Sequence, residues 1–399
     1  MYKSAGPDIT FNGKPVQVFP FWPNYRRDFI ERWEWKTDVI RAFNGDEQRI
    51  KLRQHPRRIF EYEVFARRTD RAALENYLWA GQTQLFAVPV WNSGFKLTPE
   101  TMQNVTTNIV PIPTGQFTVG GYAVGFLSPN RHETHKVVGI SADGIQLEEW
   151  ADWPAGTTVY PLLNGLVNQQ QGVTRVTGDF TYAVVTFNLM PGPSRYEGVS
   201  PGFTYYQGYP VLEDVLDWSQ GVHTDFEYKT AVYDPLTNTS MVDVESETPS
   251  ISQPATWFLK NKSSIHNLLE FAHSCNGRQK PFWMPSGTVD LVPTVIAGNQ
   301  LIARDSGYTR FIVDTSSRSH IRILLKNHQV IYRKILSAVA SSGTETFTLD
   351  SQLTISASDV LMISFMSLAR FDNDRIELAY KGPTFAMSTN LIRTLKHNI

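Results

Sequence analysis

This chain of 399 residues contains a single cysteine, Cys275, so an intrachain disulfide is excluded and nothing depends on an oxidising compartment. It also lacks an excess of either charge. The 37 Lys and Arg residues are balanced by 38 Asp and Glu residues, which argues against a dedicated nucleic-acid-binding protein. No apolar run approaches the roughly 18 residues of a membrane span, and the first residues show no signal-peptide core. We expect a protein made in the cytoplasm, with no membrane anchor.

The familiar sequence signatures of enzymes are missing too. There is no phosphate-binding loop, no G-x-G-x-x-G, no G-x-S-x-G and no Cys-x-x-Cys. We therefore predict a protein that is not an enzyme and that holds no cofactor and no metal.

Two histidine-containing stretches only partly match known sites. In RHETH, His132 and His135 are three residues apart, whereas zinc proteases place the second histidine four residues after the first. The nearby Pro129 favours a surface loop here. Cys275 follows His273 by two residues at the predicted end of a helix, where their side chains diverge. We expect Cys275 to be a small packed or surface residue, and not a nucleophile.

A third stretch has the residue types of a sugar-binding site. Glu148, Glu149 and Asp152 are flanked by Trp150 and Trp153. Paired carboxylates are the catalytic groups of glycosidases, and aromatic side chains beside acids bind sugars. A turn whose tryptophans pack on a sheet is the simpler interpretation.

The composition favours β structure. Only 19% of the residues are charged and 12% are aromatic, and the chain has 23 Pro and 26 Gly. A low-charge, aromatic and turn-rich sequence is typical of β-rich assembly subunits.

The strongest pattern is a repeated unit, in which a short amphipathic helix runs into an apolar strand. Each predicted helix has three apolar residues at positions i, i+3 and i+4, which lie on one face. These are Leu74, Tyr77 and Leu78 in the first copy, and Ile265, Leu268 and Leu269 in the second. Ser263 and Ser264 offer N-cap side chains to the second helix.

The flanking segments repeat in the same order. Alternating strands joined by a polar hairpin precede each helix, and a small strand–turn–strand insert follows it. The Pro-, Gly- and Ser-rich segment 191–202 separates the halves. We predict a mainly β chain of the α+β type with one short helix per module, formed by tandem duplication. The modules span residues 1–195 and 196–399, with β inserts at about 130–165 and 325–368.

Residues 35–65 resemble the start of distal tail and related tail-tip proteins of long-tailed bacteriophages. The shared elements are T-[DE]-V at Thr37-Asp38-Val39, E-x-R at Glu47-Gln48-Arg49 and P-R-R-x-[FY] at 56–60. The duplication is similar to the plan of baseplate hub proteins, which carry two tail-tube modules in one chain. These resemblances imply the tail-tube fold, a β-sandwich or barrel-like sheet with a helix on its flank.

The resemblance also implies a function and a location in the virion. The chain would form a ring at the tail tip that joins the tail tube protein to the baseplate hub or a central fibre protein. Genome DNA would pass through it transiently. A trimer is expected if both modules build the ring, and a hexamer if the second module lies outside it.

The two predicted hairpins differ in charge. The first, at 45–58, is basic, and the second, at 237–247, is acidic. Because opposite charges fix register and partner choice, we expect the hairpins to carry the assembly interface, meeting between halves or between rings. The residues concerned are Arg49, Lys51, Arg53, Arg57, Arg58, Asp243, Glu245 and Glu247.

Two other classes of function are open at this point. A host-receptor or glycan-binding tail module would use the β inserts, at 136–153 and 333–363, as its binding face. A hydrolase would need to turn over cell-wall or capsule polymer, and no sequence feature indicates one.

Overall fold

The computed structural model describes residues 9–396 except 12, 43–44, 82–83, 100–107, 114, 152, 170, 191–194, 197–201, 215, 220, 237–239, 245–247 and 313–317. Within these residues the chain is mainly β, which confirms the predicted class.

The strands of the first half range from 2 to 11 residues in length. They are β1 (Ile9–Phe11), β2 (Lys14–Val18), β3 (Phe29–Glu34), β4 (Thr37–Arg41), β5 (Glu47–Lys51), β6 (Arg57–Arg67), β7 (Phe86–Pro89), β8 (Phe95–Lys96), β9 (Ile109–Val110), β10 (Tyr122–Ser128), β11 (Arg131–Ser141), β12 (Gly144–Leu147), β13 (Thr158–Val167), β14 (Gly172–Arg175) and β15 (Phe180–Leu189).

The second half has a similar series. Its strands are β16 (Tyr205–Tyr206), β17 (Tyr209–Pro210), β18 (Asp225–Glu227), β19 (Thr230–Tyr233), β20 (Met241–Val244), β21 (Ser250–Leu259), β22 (Phe282–Pro285), β23 (Pro293–Ala297), β24 (Gln300–Arg304), β25 (His320–Leu325), β26 (Val330–Ser341), β27 (Thr344–Leu349), β28 (Val360–Phe371), β29 (Arg375–Tyr380) and β30 (Ala386–Thr394).

The described helices are α1 (Thr69–Ala80), α2 (Lys262–Cys275) and the single turn α3 (Tyr308–Phe311). Helices α1 and α2 lie where the repeated unit predicts them. The N-cap of α2 is Asn261 and not Ser263 or Ser264. Its side chain accepts a bond from the Ser264 backbone N–H, and Ser264 bonds back to Asn261, which closes a capping box.

Eight strands form one continuous antiparallel sheet across both halves. The first half supplies the order β14–β15–β6–β3, and the second half supplies β29–β30–β21–β18. Strands β3 and β29 pair antiparallel from Phe29–Tyr380 to Glu34–Arg375, so the eight strands run without a break.

One face of this sheet is buried and the other is open. The alternation in β6 and β15 places residues such as Phe60 and Phe187 inside, against Leu74 of α1 and Leu268 of α2. The opposite residues of each strand form what we call the open face, where charged and polar side chains predominate. An antiparallel sheet with one packed face and one solvated face gives this alternation.

Each half also has a smaller sheet with its own core. In the first half, β10, β11, β12 and β9 pair in that order, and in the second half β25, β26, β27 and β24 do so. Their cores centre on Trp153 and on Phe347. These sheets also draw on β9, β10, β23, β24 and most of β25, which lie before the predicted insert limits, because the pairing partners come from earlier in the chain.

Candidate assembly surfaces

The contact between the two halves, which we call the joint, is built around the β3–β29 pair. On the open face, Arg32 of β3 bonds Glu61 at 2.6 Å and Glu377 of β29 at 3.0 Å. Partial burial alone would lower the pKa of Arg32, but the two carboxylates raise it. The guanidinium therefore ties the first half to the second across three adjacent strands.

On the buried side of the joint, the carboxylate of Glu31 is fully enclosed. It accepts bonds from Arg58 Nε at 2.8 Å, Trp33 Nε1 at 2.9 Å, Asn92 Nδ2 at 2.8 Å and the Tyr380 hydroxyl at 2.8 Å. A buried charge is tolerated only when it is paired and hydrogen-bonded, as it is here. Burial and the nearby Glu31 raise the pKa of Tyr380 well above its ordinary value.

The hairpin β4–β5 docks on the second half through a buried ion pair. The fully buried Arg370 donates to Glu47 at 2.7 and 2.8 Å and to Asp372 at 2.6 Å. Burial tends to raise the pKa of Glu47, but the bonds from Arg370 and Arg41 hold it below its usual value. Two-point bonding by a guanidinium gives this contact direction as well as charge.

A second set of contacts lies beside this pair. Asp374 accepts from the Thr37 backbone N–H at 2.6 Å and from its hydroxyl at 2.9 Å. Lys51 Nζ bonds Asn276 Oδ1 at 2.9 Å, and the Trp35 ring lies 5.1 Å from that of His273 at the end of α2. The inner face of the hairpin thus bonds to the second half of its own chain at Thr37, Glu47 and Lys51.

The structure places the eight predicted interface residues in different environments. Arg58 points inside to Glu31, and Arg53 Nη1 donates to the Glu34 carbonyl at 2.7 Å. Arg57 and Asp243 are exposed. Glu245 and Glu247 lie outside the described residues. The two hairpins share no ion pair in the described part of the chain, and the predicted interface role of these residues stays a prediction.

Among the residues that the structure describes, strands β14 and β18 each pair along one edge only. Strand β14 pairs with β15 as β29 pairs with β30, and β18 pairs with β21 as β3 pairs with β6. Yet β3 and β29 pair with each other, whereas the described residues supply no strand for the outer edges of β14 and β18. An open strand edge is a template for pairing with another chain.

The backbone of β18 presents bonding groups at this edge. Ile251 of β21 donates its N–H to Thr394 Oγ1 of β30, so its backbone groups face away from β18. Phe226, which lies opposite Ile251, must then point its own N–H and C=O outward. In β14, the Val176 N–H donates to the Phe180 carbonyl, so the backbone groups of Val176 face β15. Because the direction alternates along the strand, the backbone groups of Val173 face away from β15, toward the outer edge.

The hairpin β19–β20 is exposed on both faces, unlike β4–β5. Its apolar side chains are 58–72% exposed, namely Val232, Tyr233, Met241, Val242 and Val244. A cleft of about 310 Å³ with a mixed apolar and polar lining opens next to β18, and its apolar residues include Trp218, Val222, Phe226, Met284 and Phe365. This end of the sheet therefore resembles a contact surface without its partner.

The two histidines of RHETH are part of the packed sheet. His132 and His135 lie on strand β11 and are buried, so the predicted surface loop is wrong. The pairing of β11 with β10 and β12 decided this, and no local signal showed it. Among the described residues, no group of three or more side chains could hold a metal ion.

Of the other two candidates, Cys275 is packed, whereas Glu148, Glu149 and Trp150 are exposed. Cys275 is buried, and burial raises the pKa of its thiol to about 12, which suppresses the reactive thiolate. Trp153 is buried in the small core of the first half, so only Trp150 of the tryptophan pair is exposed. None of the described helices has the length and apolarity needed to cross a membrane.

No protein-family model matches this sequence, and a search of curated proteins found no significant match. The chain's own surfaces therefore have to indicate its function.

Proposed function

We propose that this protein is a structural component of the tail tip of a long-tailed bacteriophage. Three copies would form a ring with six similar modules, joining the tail tube to the baseplate hub or central fibre and continuing the channel for genome ejection. The modules are, in this proposal, a tandem duplication of a tail-tube-like unit. The protein acts by assembly and has no catalytic role.

One observation carries the proposal, which is the joint between β3 and β29. In it, one half of the chain adds its sheet to the other, while no strand within the described ranges pairs with the equivalent edges of β14 and β18. Repeating the joint between copies would use both of these edges, and such a head-to-tail contact forms a ring when the rotation from copy to copy closes. Both halves contribute four strands to the same sheet, which favours a trimer over a hexamer with an outlying second half.

The open face suits the wall of a channel for DNA. Basic side chains on this face are interspersed with acidic ones, as in the ion pairs of Arg32 with Glu61 and Glu377. A wall of mixed charge neutralises few phosphates, and so it holds passing DNA weakly.

The proposal predicts a register between copies. The strand pair β14–β15 of the first half corresponds to β29–β30 of the second. Arg175 of β14 lies opposite Thr181, and Tyr380 of β29 lies opposite Ala386, so Tyr380 is the counterpart of Arg175. Three residues earlier, Gly172 takes the place of Glu377.

In the other strand, Trp33 lies opposite Arg58 and Phe226 lies opposite Ile251, each pair member being 193 positions later. Asp225 therefore takes the place of Arg32. Because Glu377 pairs with Arg32, Gly172 of one copy should lie opposite Asp225 of the next. In this register the outward-facing backbones of Val173 and of Thr224, two residues before Phe226, meet each other.

Cysteine cross-linking tests this register. A Cβ on Gly172 would meet nothing within 4 Å, and Asp225 is exposed, so G172C/D225C should fold normally. Mild oxidation should link copies covalently into closed rings, since opposite Cβ atoms lie about 5 Å apart. The buried Cys275 should not interfere. The matched control G172C/E227C is two residues out of register and should link poorly. Equal linking of both variants, or of neither, contradicts the proposal.

A further inference from the structure

The two hairpins occupy equivalent places but have opposite surroundings. Val39 lies opposite Arg49 in β4–β5, and Val232 lies opposite Val242 in β19–β20, again 193 positions later. Hairpin β4–β5 docks on the second half of its own chain, whereas β19–β20 is exposed. A two-stranded hairpin is marginally stable alone, so an exposed one with apolar side chains calls for a partner.

The chemistry of the docking face changes between the hairpins. In β5 the residues on the side of the second half are Glu47, Arg49 and Lys51. Their counterparts along β20 are Ser240, Val242 and Val244. Val242 and Val244 are 59% and 58% exposed. A charged face has been replaced by an apolar one.

The receiving surface changes in the same direction. Arg370 lies opposite Arg393 in the β28–β30 pair, and Leu166 lies opposite Asn188 in the β13–β15 pair. Asn188 of β15 and Arg393 of β30 are counterparts in the two halves. Leu166 of the first half is therefore the counterpart of Arg370 in the second. It is 41% exposed, whereas Arg370, which binds β4–β5, is fully buried.

We infer that the hairpin β19–β20 docks on Leu166 of the next copy, by an apolar contact that replaces the Arg370–Glu47 ion pair. This inference rests on the proposed ring. Both partners have lost their charge together, which keeps them complementary. The two surfaces cannot meet within one copy, because they lie at opposite ends of an eight-stranded sheet, about 34 Å apart at 4.8 Å per strand.

The docking also makes the contact between copies chemically different from the joint within one copy. A charged hairpin placed on Leu166 would bury unpaired charges, and an apolar hairpin placed on Arg370 would leave the guanidinium without Glu47. Each mismatch is unfavourable, because it leaves a buried charge without its partner. The order of modules around the ring is therefore specified.

The test rebuilds the internal ion pair between copies. L166R alone should weaken self-association by about 100-fold, because an unpaired guanidinium is buried in the contact. S240E/L166R places a carboxylate at the position equivalent to Glu47 and should restore most of the lost affinity. The control M241E/L166R carries the same charges, but residue 241 is on the other face of the hairpin, so affinity should stay low. Association is followed by the mass of the complex as a function of protein concentration.

The outcomes separate this inference from the proposed function. If the unaltered protein forms rings, and L166R has no effect or both double variants recover equally, the hairpin contact is wrong while the ring stands. If the unaltered protein forms no ring, the proposed function is wrong, and the hairpin contact that rests on it is wrong too. Rings that respond as described support both.

Discussion

Arg370 of β28 and Glu47 of β5 form a two-point ion pair, at 2.7 and 2.8 Å, although 323 positions separate them in the chain. Arg370 is fully buried, and Asp372 supplies it with a further bond at 2.6 Å. The pair binds the first half's hairpin to the second half. It is also the template from which the contact between copies is inferred.

Removing one member of this pair should be costly. E47Q leaves Arg370 buried with less than its full complement of negative charge, so we expect the free energy of unfolding to fall by about 3 kcal/mol. The double variant E47L/R370M should recover part of the loss, because it removes both charges. Denaturant unfolding measures these changes. The control E148Q alters a carboxylate that is half exposed and bonds Lys136 at only 3.5 Å, and it should change little. Equal effects of E47Q and E148Q would contradict a structural role for the pair.

Acid should weaken the joint through His273. Burial against Trp33 and Trp35 lowers the pKa of His273 from 6.5 to about 4. Above pH 6.5 the imidazole is neutral whether the chain is folded or unfolded. As the pH falls from 6.5 toward 4, only the unfolded chain takes up the proton, so stability is lost over this range.

We expect this residue to remove about 2 kcal/mol of stability between pH 7 and pH 5, and H273Q to show a smaller loss over the same range. The pKa of His266 is also lowered to about 4, by burial and by Arg195, so the variant should keep some pH dependence. H328N is the control, since His328 is exposed on a turn with φ of 66°. A pH dependence unchanged in H273Q would show that His273 is not its source.

Gly277 allows the close contact between α2 and β3–β4. Its φ is +64°, and an added Cβ would lie 2.8 Å from Asp374 Oδ1 and 3.0 Å from the Trp35 Cβ. Gly298 has a similar φ of +62° with nothing within 4 Å of its Cβ. G277A should therefore cost roughly 1–3 kcal/mol more than G298A, because both pay the backbone strain but only one also clashes. Equal losses of stability in G277A and G298A, measured by thermal unfolding, would contradict the close contact at Gly277.

The sequence predicts elements well here because their causes are local. Alternation along 57–67 and 180–189 predicts strands with one buried face, and spacing around Leu74 and Leu268 predicts the helices. The buried histidines of RHETH were missed, because β11 is defined by its partners β10 and β12 and not by its own composition.

The joint could not be predicted, because it depends on contacts between distant positions. Arg49 and Lys51 suggested a basic surface for other molecules, whereas the fold directs Lys51 to Asn276 of the same chain. Arg58 looked equally exposed in sequence, yet it neutralises the buried Glu31. The sequence alone does not distinguish a charged residue that faces solvent from one that pairs with a distant carboxylate. The contrast between Glu47 and Ser240 became meaningful only once strand register made them equivalent.

The mass of the assembled protein tests the central claim most directly. Native mass spectrometry of the purified chain should show a complex of about 136 kDa, three times the 45.2 kDa of one chain. That mass means that both halves build the ring and that β14 and β18 close it. A hexamer would contradict the account, because it leaves the second half outside the ring, and so would a chain that stays monomeric at the highest concentrations.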